Sequence, residues 1–201
     1  MDASSRREQV STMVCQVVSF METMVSLDYV KMFARVAHEG QVRKYTGEPY
    51  VQHVLAVGLM YQSWSEKMER DALYAAILHD TVEDTEVDMD QIRRHFGDKV
   101  AEYVWYLTKP EEFVGNRLKR KALDRARLAL APDVVKFIKI LDITHNAKSI
   151  REHDPDFWKE WREETLLMLD ALEARRVWYK MCNHRDHGQI DKLYDLLYER
   201  M

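Results

Sequence analysis

His79-Asp80-Thr81-Val82-Glu83-Asp84 places a histidine beside an aspartate and a second acidic pair four residues on. The apolar run Asp71-Ala-Leu-Tyr-Ala-Ala-Ile-Leu78 leads straight into it. Four ionisable groups at the end of a buried helix are costly unless a metal, a partner or a ligand offsets them. Two further segments carry residues of the same chemical type. His53 lies in the first turn of a helix expected to open at Pro49. Asp142 lies in a helix expected over 132–150, where spacings of three and four align Lys139, Asp142, Asn146 and Ser149 on one face. Two imidazoles and two carboxylates suit a first-row divalent ion that keeps open positions for water and substrate. Such an ion lowers the pKa of bound water and neutralises phosphate charge. Glu83 and Asp84 fall one helical turn beyond His79 and Asp80, where a carboxylate can orient water and move a proton. The ingredients are those of metal-assisted phosphoester hydrolysis. Each piece has a plain reading by itself. A His-Asp pair is common, a helix-start histidine bonds backbone, and Asp142 could pair with Lys139 or Lys148. Their joint occurrence is what carries the signal.

The elements that would position these groups are helices. Gly 6 and Pro 4 in 201 residues argue against a turn-rich β protein, and no useful strand-like alternation appears. Helices are expected near 6–25, 27–39, 50–63, 67–83, 88–96, 97–107, 116–130, 132–150, 155–180 and 188–200. Residues 40–49 form a turn-rich loop with room for a short hairpin, and 108–115 form a second break. Pro49 and Pro132 suit first-turn positions, where a missing N–H costs little. The expected organisation is an all-α domain over 1–150, followed by a helical C-terminal extension over 151–201 packed on it.

A hydrophobic fraction of 46% supports a full core, and a formal net charge of −4 leaves no footprint for bulk nucleic-acid binding. Cys15 and Cys182 make no disulfide framework and suit a reducing compartment. Val10, Met13, Val14, Val17, Met21 and Met24 share one helical face, which reads as an amphipathic core helix rather than a signal peptide. No run approaches the roughly 20 apolar residues of a membrane helix. The expectation is a soluble, cytoplasmic protein. Cys182, His184 and His187 cluster near a helix end; the residue types would suit a second metal site, but they read as a polar, solvated helix terminus. Trp158, Trp161, Trp178 and Tyr179 read mainly as core at helical spacing, and His38 as a buried or supporting residue.

The order His53, His79-Asp80, Asp142 resembles the HD superfamily of metal-dependent phosphohydrolases. Residues 37–53, Ala-His-Glu-Gly-Gln-Val-Arg-Lys-Tyr-Thr-Gly-Glu-Pro-Tyr-Val-Gln-His, resemble the opening of the alarmone (ppGpp) hydrolase domain. Residues 75–85 resemble its central motif. Phe96-Gly97-Asp98-Lys99-Val100, Leu107-Thr108-Lys109 and Asp142-Ile-Thr-His-Asn146 resemble further landmarks. The resemblance covers about 28–150 and implies an all-helical HD fold that usually holds Mn²⁺. It implies removal of the 3′-pyrophosphate from guanosine tetra- or pentaphosphate. It assigns His53, His79, Asp80 and Asp142 to the metal and Glu83 and Asp84 to catalysis. Arg43, Lys44 and Thr46 match the loop that holds base and phosphates, and Tyr50, Asn146 and Ser149 match the nucleoside pocket. Arg43 has the planar cation that stacks on a purine, while Lys44 offers phosphate a point charge. Two departures stand out. Val54 replaces the usual Pro, and Ile143 replaces the usual basic residue after the last aspartate. Ile143 and the unmatched C-terminal third leave open another nucleotide substrate: an adenosine alarmone, a pyrophosphorylated RNA end, NADPH or a dNTP. A non-enzymatic nucleotide-binding module is the third reading.

Overall fold

The computed structural model describes residues 25–109 and 116–199, and the described residues form eleven α-helices with one 3₁₀ turn. The all-α expectation holds. The helix expected over 6–25 lies outside the described residues, as does most of the second break.

In chain order α1 spans Leu27–Ala37, α2 Val51–Trp64 and α3 Arg70–Leu78. Ser26 caps α1 by accepting from the Tyr29 N–H at 3.1 Å. Every residue of α3 from Ala72 to Leu78 is buried, so this helix has no solvent face and forms the centre of the first half. It packs on α1 and α2 and on two later helices, α6 (Asp98–Leu107) and α8 (Asp133–His153). Between them run α4 (Thr81–Asp84), α5 (Met89–Phe96) and α7 (Arg117–Ala129). A capping box of Asp88 and Gln91 starts α5. Gly97, at φ 87°, turns the chain from α5 into α6, a backbone position that a side chain would strain.

The second organising element is α8, whose buried positions occur on most of its circumference. It packs on α2, α3 and α6 on one side. On the other it packs on α9 (Pro155–Ala171), α10 (Ala174–Met181) and α11 (Gln189–Tyr198). Trp158 and Trp178 are fully buried in this second layer, as expected of core aromatics, whereas Trp161 is only partly buried and Tyr179 is exposed, so the expectation fails for Tyr179. Trp178 meets Phe137 of α8 at 5.3 Å and Trp64 of α2 at 5.8 Å between ring centroids. The chain after α10 is stitched to the end of α2, where the Asn183 N–H donates to the Trp64 carbonyl at 2.7 Å. No described helix is long and apolar enough to cross a membrane.

Three helix boundaries differ from the sequence expectation. The helix expected over 67–83 breaks at His79–Asp80, because the His79 ring donates Nδ1–H to the Ala76 carbonyl at 2.9 Å and occupies a ladder acceptor. The helix expected over 155–180 breaks at Glu173, which adopts a left-handed conformation at φ 51°. That conformation costs a non-glycine residue about 1–2 kcal/mol. It folds α10 back so that Val177 and Trp178 are buried. Pro49 precedes the helix it was expected to open, pairing across a narrow hairpin with Val42, and α2 begins at Val51. Residues 41–50 thus carry the short hairpin, closed by Arg43 N–H to Glu48 O at 2.8 Å and Tyr50 N–H to Gln41 O at 2.9 Å.

Candidate active site

Four elements converge at one point. The start of α2 brings His53, the α3–α4 break brings His79 and Asp80, α4 brings Glu83 and Asp84, and the middle of α8 brings Asp142. One ligand atom each from His53, His79 and Asp142 lies within 4.8 Å of the others, and all three residues are buried. Asp80 completes the ring, with its Oδ2 3.0 Å from His79 Nε2 and 3.5 Å from His53 Nε2. Asp142 Oδ1 stands 3.2 Å from His53 Nε2 and 3.7 Å from His79 Nε2.

The imidazoles are held from behind. His79 donates Nδ1–H to a backbone carbonyl, which turns Nε2 toward the carboxylates, where it holds a proton in the metal-free protein and would give a lone pair to a cation. His53 Nδ1 is 2.9 Å from His145 Nδ1. One of these two nitrogens must donate and the other accept. Assigning the proton to His53 leaves its Nε2 unprotonated and aimed at the carboxylates. His145 fits the acceptor role, because burial and the neighbouring His53 and Arg43 push its imidazole down to about 4, so it is neutral. His53 Nε2 and His79 Nε2 are both buried, and neither has a hydrogen-bond partner. Two partnerless ring nitrogens facing two carboxylates are the donor set of a divalent cation.

The carboxylates are ionised. Burial opposes their charge, but His79 beside Asp80 and Lys139 beside Asp142 hold both carboxyls well below the usual range. Lys139 Nζ donates to Asp142 Oδ2 at 2.8 Å and Asn146 Nδ2 to Asp142 Oδ1 at 2.7 Å. Tyr50 donates its phenol to Asp80 Oδ2 at 2.7 Å; burial and that carboxylate push its own ionisation far up, so it stays a donor.

Beside this cluster opens a cleft of about 340 Å³, lined among others by Tyr50, Glu83, Asp84, Lys109, Asn146 and Trp161. Burial, with Asp80 and Glu83 nearby, raises the Asp84 carboxyl above its ordinary value. The Lys109 ammonium and backbone N–H both hold Glu83, the latter at 3.2 Å. Gln41 ties the site together from the hairpin, since its amide donates to the Asp84 carbonyl while its Oε1 meets the buried His38 ring at 2.7 Å. His38 therefore has the supporting place expected of it.

The remaining predicted residues separate. Arg43 reaches Asn146 Oδ1 at 2.7 Å and lies 5.8 Å over the Tyr50 ring. Lys44 instead pairs with Asp154 at 3.1 Å on the surface, and Thr46 bonds Glu48 within its own turn at 3.3 Å. Ser149 is half-buried, its hydroxyl oxygen is covered and partnerless, and it is not among the residues lining the cleft. Among the described residues Cys182, His184 and His187 do not come together as a group that could hold a metal; His187 Nε2 meets the Cys182 carbonyl at 3.0 Å, and Cys182 itself is buried rather than solvated. Sequence reasoning passed over His145, although it stands three residues from Asp142 on the same helix. It also passed over the cleft roles of Lys121, Asp124 and Glu164, whose charges look in sequence like those of any solvated face.

The HD domain family model matches residues 31–177, most of the chain. The chain belongs to the HD domain family. Its match extends past residue 150 through α9 and into α10. Among curated relatives, the chain is 35% identical over 148 residues to the guanosine-3′,5′-bis(diphosphate) 3′-pyrophosphohydrolase of Haemophilus influenzae. That alignment covers 72% of this chain and 21% of the relative. It is 34% identical over 155 residues to a GTP pyrophosphokinase of Streptomyces coelicolor, covering 76% of this chain and 18% of the relative. The HD domain thus spans about a fifth of the length of these relatives. In structure it resembles a metazoan ortholog of SpoT that hydrolyses ppGpp, with a TM-score of 0.68 and 24% identity. That match covers 82% of this chain and 91% of the other. At that identity the likeness concerns the fold.

Proposed function

We propose that this HD domain is a divalent-cation-dependent hydrolase of the 3′-diphosphate of guanosine tetra- and pentaphosphate, acting in the cytoplasm. The products are GDP or GTP and pyrophosphate. The observation that carries the reading is the placement of Glu83 and Asp84 on the cleft wall beside the His53–His79–Asp80–Asp142 cluster. The names of the curated relatives support the choice of substrate class.

The cluster fits a cation, since two buried ring nitrogens have no partner and two ionised carboxylates face them. His53, His79, Asp80 and Asp142 would hold it, and Mn²⁺ is the ion we propose. When bound, such an ion acts as a Lewis acid and offsets phosphate charge. The rest falls to the chain's own side chains. Water adds to the phosphorus attached to the 3′ oxygen, the phosphorus–3′ oxygen bond breaks, and the proton taken from water is returned to the leaving 3′ oxygen. Asp84, exposed on the cleft wall and with its carboxyl raised by desolvation and by the neighbouring Asp80 and Glu83, takes the proton from water. Glu83, fixed by two bonds from Lys109, orients that water. Arg43, held flat by Asn146, offers its guanidinium plane to the purine beside Tyr50. Lys44 and Thr46 meet phosphate at the rim, and exchanging the exposed Lys44–Asp154 pair for phosphate costs little. Ser149 supports the nucleoside side of α8. The helices after residue 150 act as one wall of the same domain's cleft.

Purified protein with Mn²⁺ is expected to release pyrophosphate from ppGpp. Glu83→Gln with Asp84→Asn is expected to abolish release while Mn²⁺ still binds. No release by the unmutated protein overturns the reading.

Ile143 supports a second reading. It lines the cleft together with Met168, and so puts an apolar patch where the family usually has a basic residue. A related nucleotide with less charge at that point would suit it. Turnover of ppGpp far above that of adenosine alarmones, pyrophosphorylated RNA ends, NADPH and dNTPs would dismiss this alternative.

A further inference from the structure

Three lysines line the cleft: Lys109, Lys121 and Lys139. Two are committed. Lys109 is bonded to Glu83, and Lys139 to Asp142 at 2.8 Å. Lys121, on α7, has only Glu164 of α9 within ion-pair reach among the described residues, at 3.7 Å. Glu164 is itself taken by Arg117, whose Nε donates to Oε1 at 2.8 Å and Nη2 to Oε2 at 3.0 Å. That fork takes one acceptor site on each carboxylate oxygen, so Lys121 shares Glu164 with Arg117. Lys121 is therefore the cleft lysine without a carboxylate of its own. Its surroundings add to the imbalance. Burial pulls its ammonium below the ordinary lysine value, Glu164 opposes this, and Lys109, Lys139 and Arg117 add to it. The Lys121 side chain is about two-thirds covered and faces the open cleft, and among the described residues its one carboxylate within reach is shared with Arg117, which leaves its ammonium capacity for a compact anion.

The site proposed above supplies one. A guanosine 3′,5′-bis(diphosphate) carries two diphosphates, and only one can lie at the histidine–aspartate cluster. We propose that Lys121 binds the 5′-diphosphate, with Arg117 and Glu164 fixing the α7–α9 wall that presents it. Lys121 is thereby a specificity residue for the substrate's non-reacting end, and this assignment rests on the reading of the site as a 3′-diphosphate hydrolase. Trp161 lines the same wall and is stacked on Trp158 at 5.4 Å.

The test compares two substrates, guanosine 3′,5′-bis(diphosphate) and the analogue with a free 5′-hydroxyl, using the full chain with Mn²⁺. The unmutated protein is expected to prefer the first in kcat/KM. Lys121→Ala is expected to shrink that preference on the order of 10- to 100-fold, the range of one charge-assisted hydrogen bond, mostly through KM. Lys121→Arg is expected to restore most of it. Lys121→Met, which keeps the apolar stem, carries the same comparison if the alanine variant does not fold. An unchanged preference in these variants overturns the assignment of Lys121 and leaves the reading of the site standing. Failure of the unmutated protein to turn over either substrate overturns both.

Discussion

At the scale of single residues, the site depends on where two protons are held. His79 gives Nδ1–H to the Ala76 carbonyl, an acceptor that cannot itself ionise. His53 has a softer support, the ring nitrogen of His145 at 2.9 Å. That support works because burial, His53 and Arg43 keep His145 neutral at physiological pH. A protonated His145 could only donate, and the His53 proton would be driven to Nε2, the atom facing Asp80 and Asp142. Removing His145 therefore frees both the tautomer and the ring of His53. His145→Ala is expected to weaken Mn²⁺ binding about 10- to 100-fold, the usual effect of losing a residue that orients a ligand. Calorimetric titration of the metal-free protein reads this directly. Equal affinities in the two proteins would rule out the orienting role.

At the scale of elements, α2 and α3 must approach closely enough for His53 and His79 to face one another, and Gly58 sets that approach. A Cβ at Gly58 would stand 2.5 Å from Ile77 Cγ1, well inside contact distance. Ile77 is buried and cannot swing away. Gly58→Ala is expected to cost about 1–3 kcal/mol of stability, as overpacking of a filled core does, measurable by urea denaturation. Because the two helices part, Mn²⁺ affinity is expected to fall as well; a variant as stable as the parent would mean that the helices are not in tight contact here. Elements of this kind were legible because helical spacing of apolar residues is a local signal, and so were the ligand types on α2, α3 and α8. The break at Glu173 was not, since nothing in Leu172-Glu173-Ala174 resembles a glycine stop and only tertiary burial of Trp178 selects it. The break at His79 was hidden for a related reason, as it comes from a side-chain bond to the helix's own ladder. Lys121 and Glu164 lie far apart in sequence on charged helices, so no period marks them as cleft residues. Even Lys44, placed by motif in the substrate loop, takes its present partner from Asp154, more than a hundred residues away.

At the scale of the molecule, the cluster links the two halves of the helical assembly. α2 and α3 belong to the first layer, while α8 carries Asp142 and packs on α9, α10 and α11. A cation held by all three elements would bind the folded chain and not the unfolded one, so it would stabilise the whole fold by mass action. The metal-free fold has its own compensation. Lys139 offsets Asp142, and a proton on His79, whose pKa is raised to about 10 by Asp80 and Asp142 against burial, offsets Asp80. The metal-free protein is therefore expected to fold, with the cation adding to its stability rather than creating it. At about a hundredfold excess over Kd the gain is about 2.7 kcal/mol. For a chain of 201 residues that corresponds to a rise in Tm of roughly 5–10 °C. Thermal melts across a Mn²⁺ series, after chelation and dialysis, are expected to show a Tm that climbs with the logarithm of concentration. His79→Ala removes one of the two partnerless ring nitrogens, and its Tm is expected to be nearly insensitive to Mn²⁺. An equal rise in that variant would place the stabilising cation elsewhere on the molecule, and the buried histidine–aspartate cluster would then have to be read as an ion-paired core without a metal.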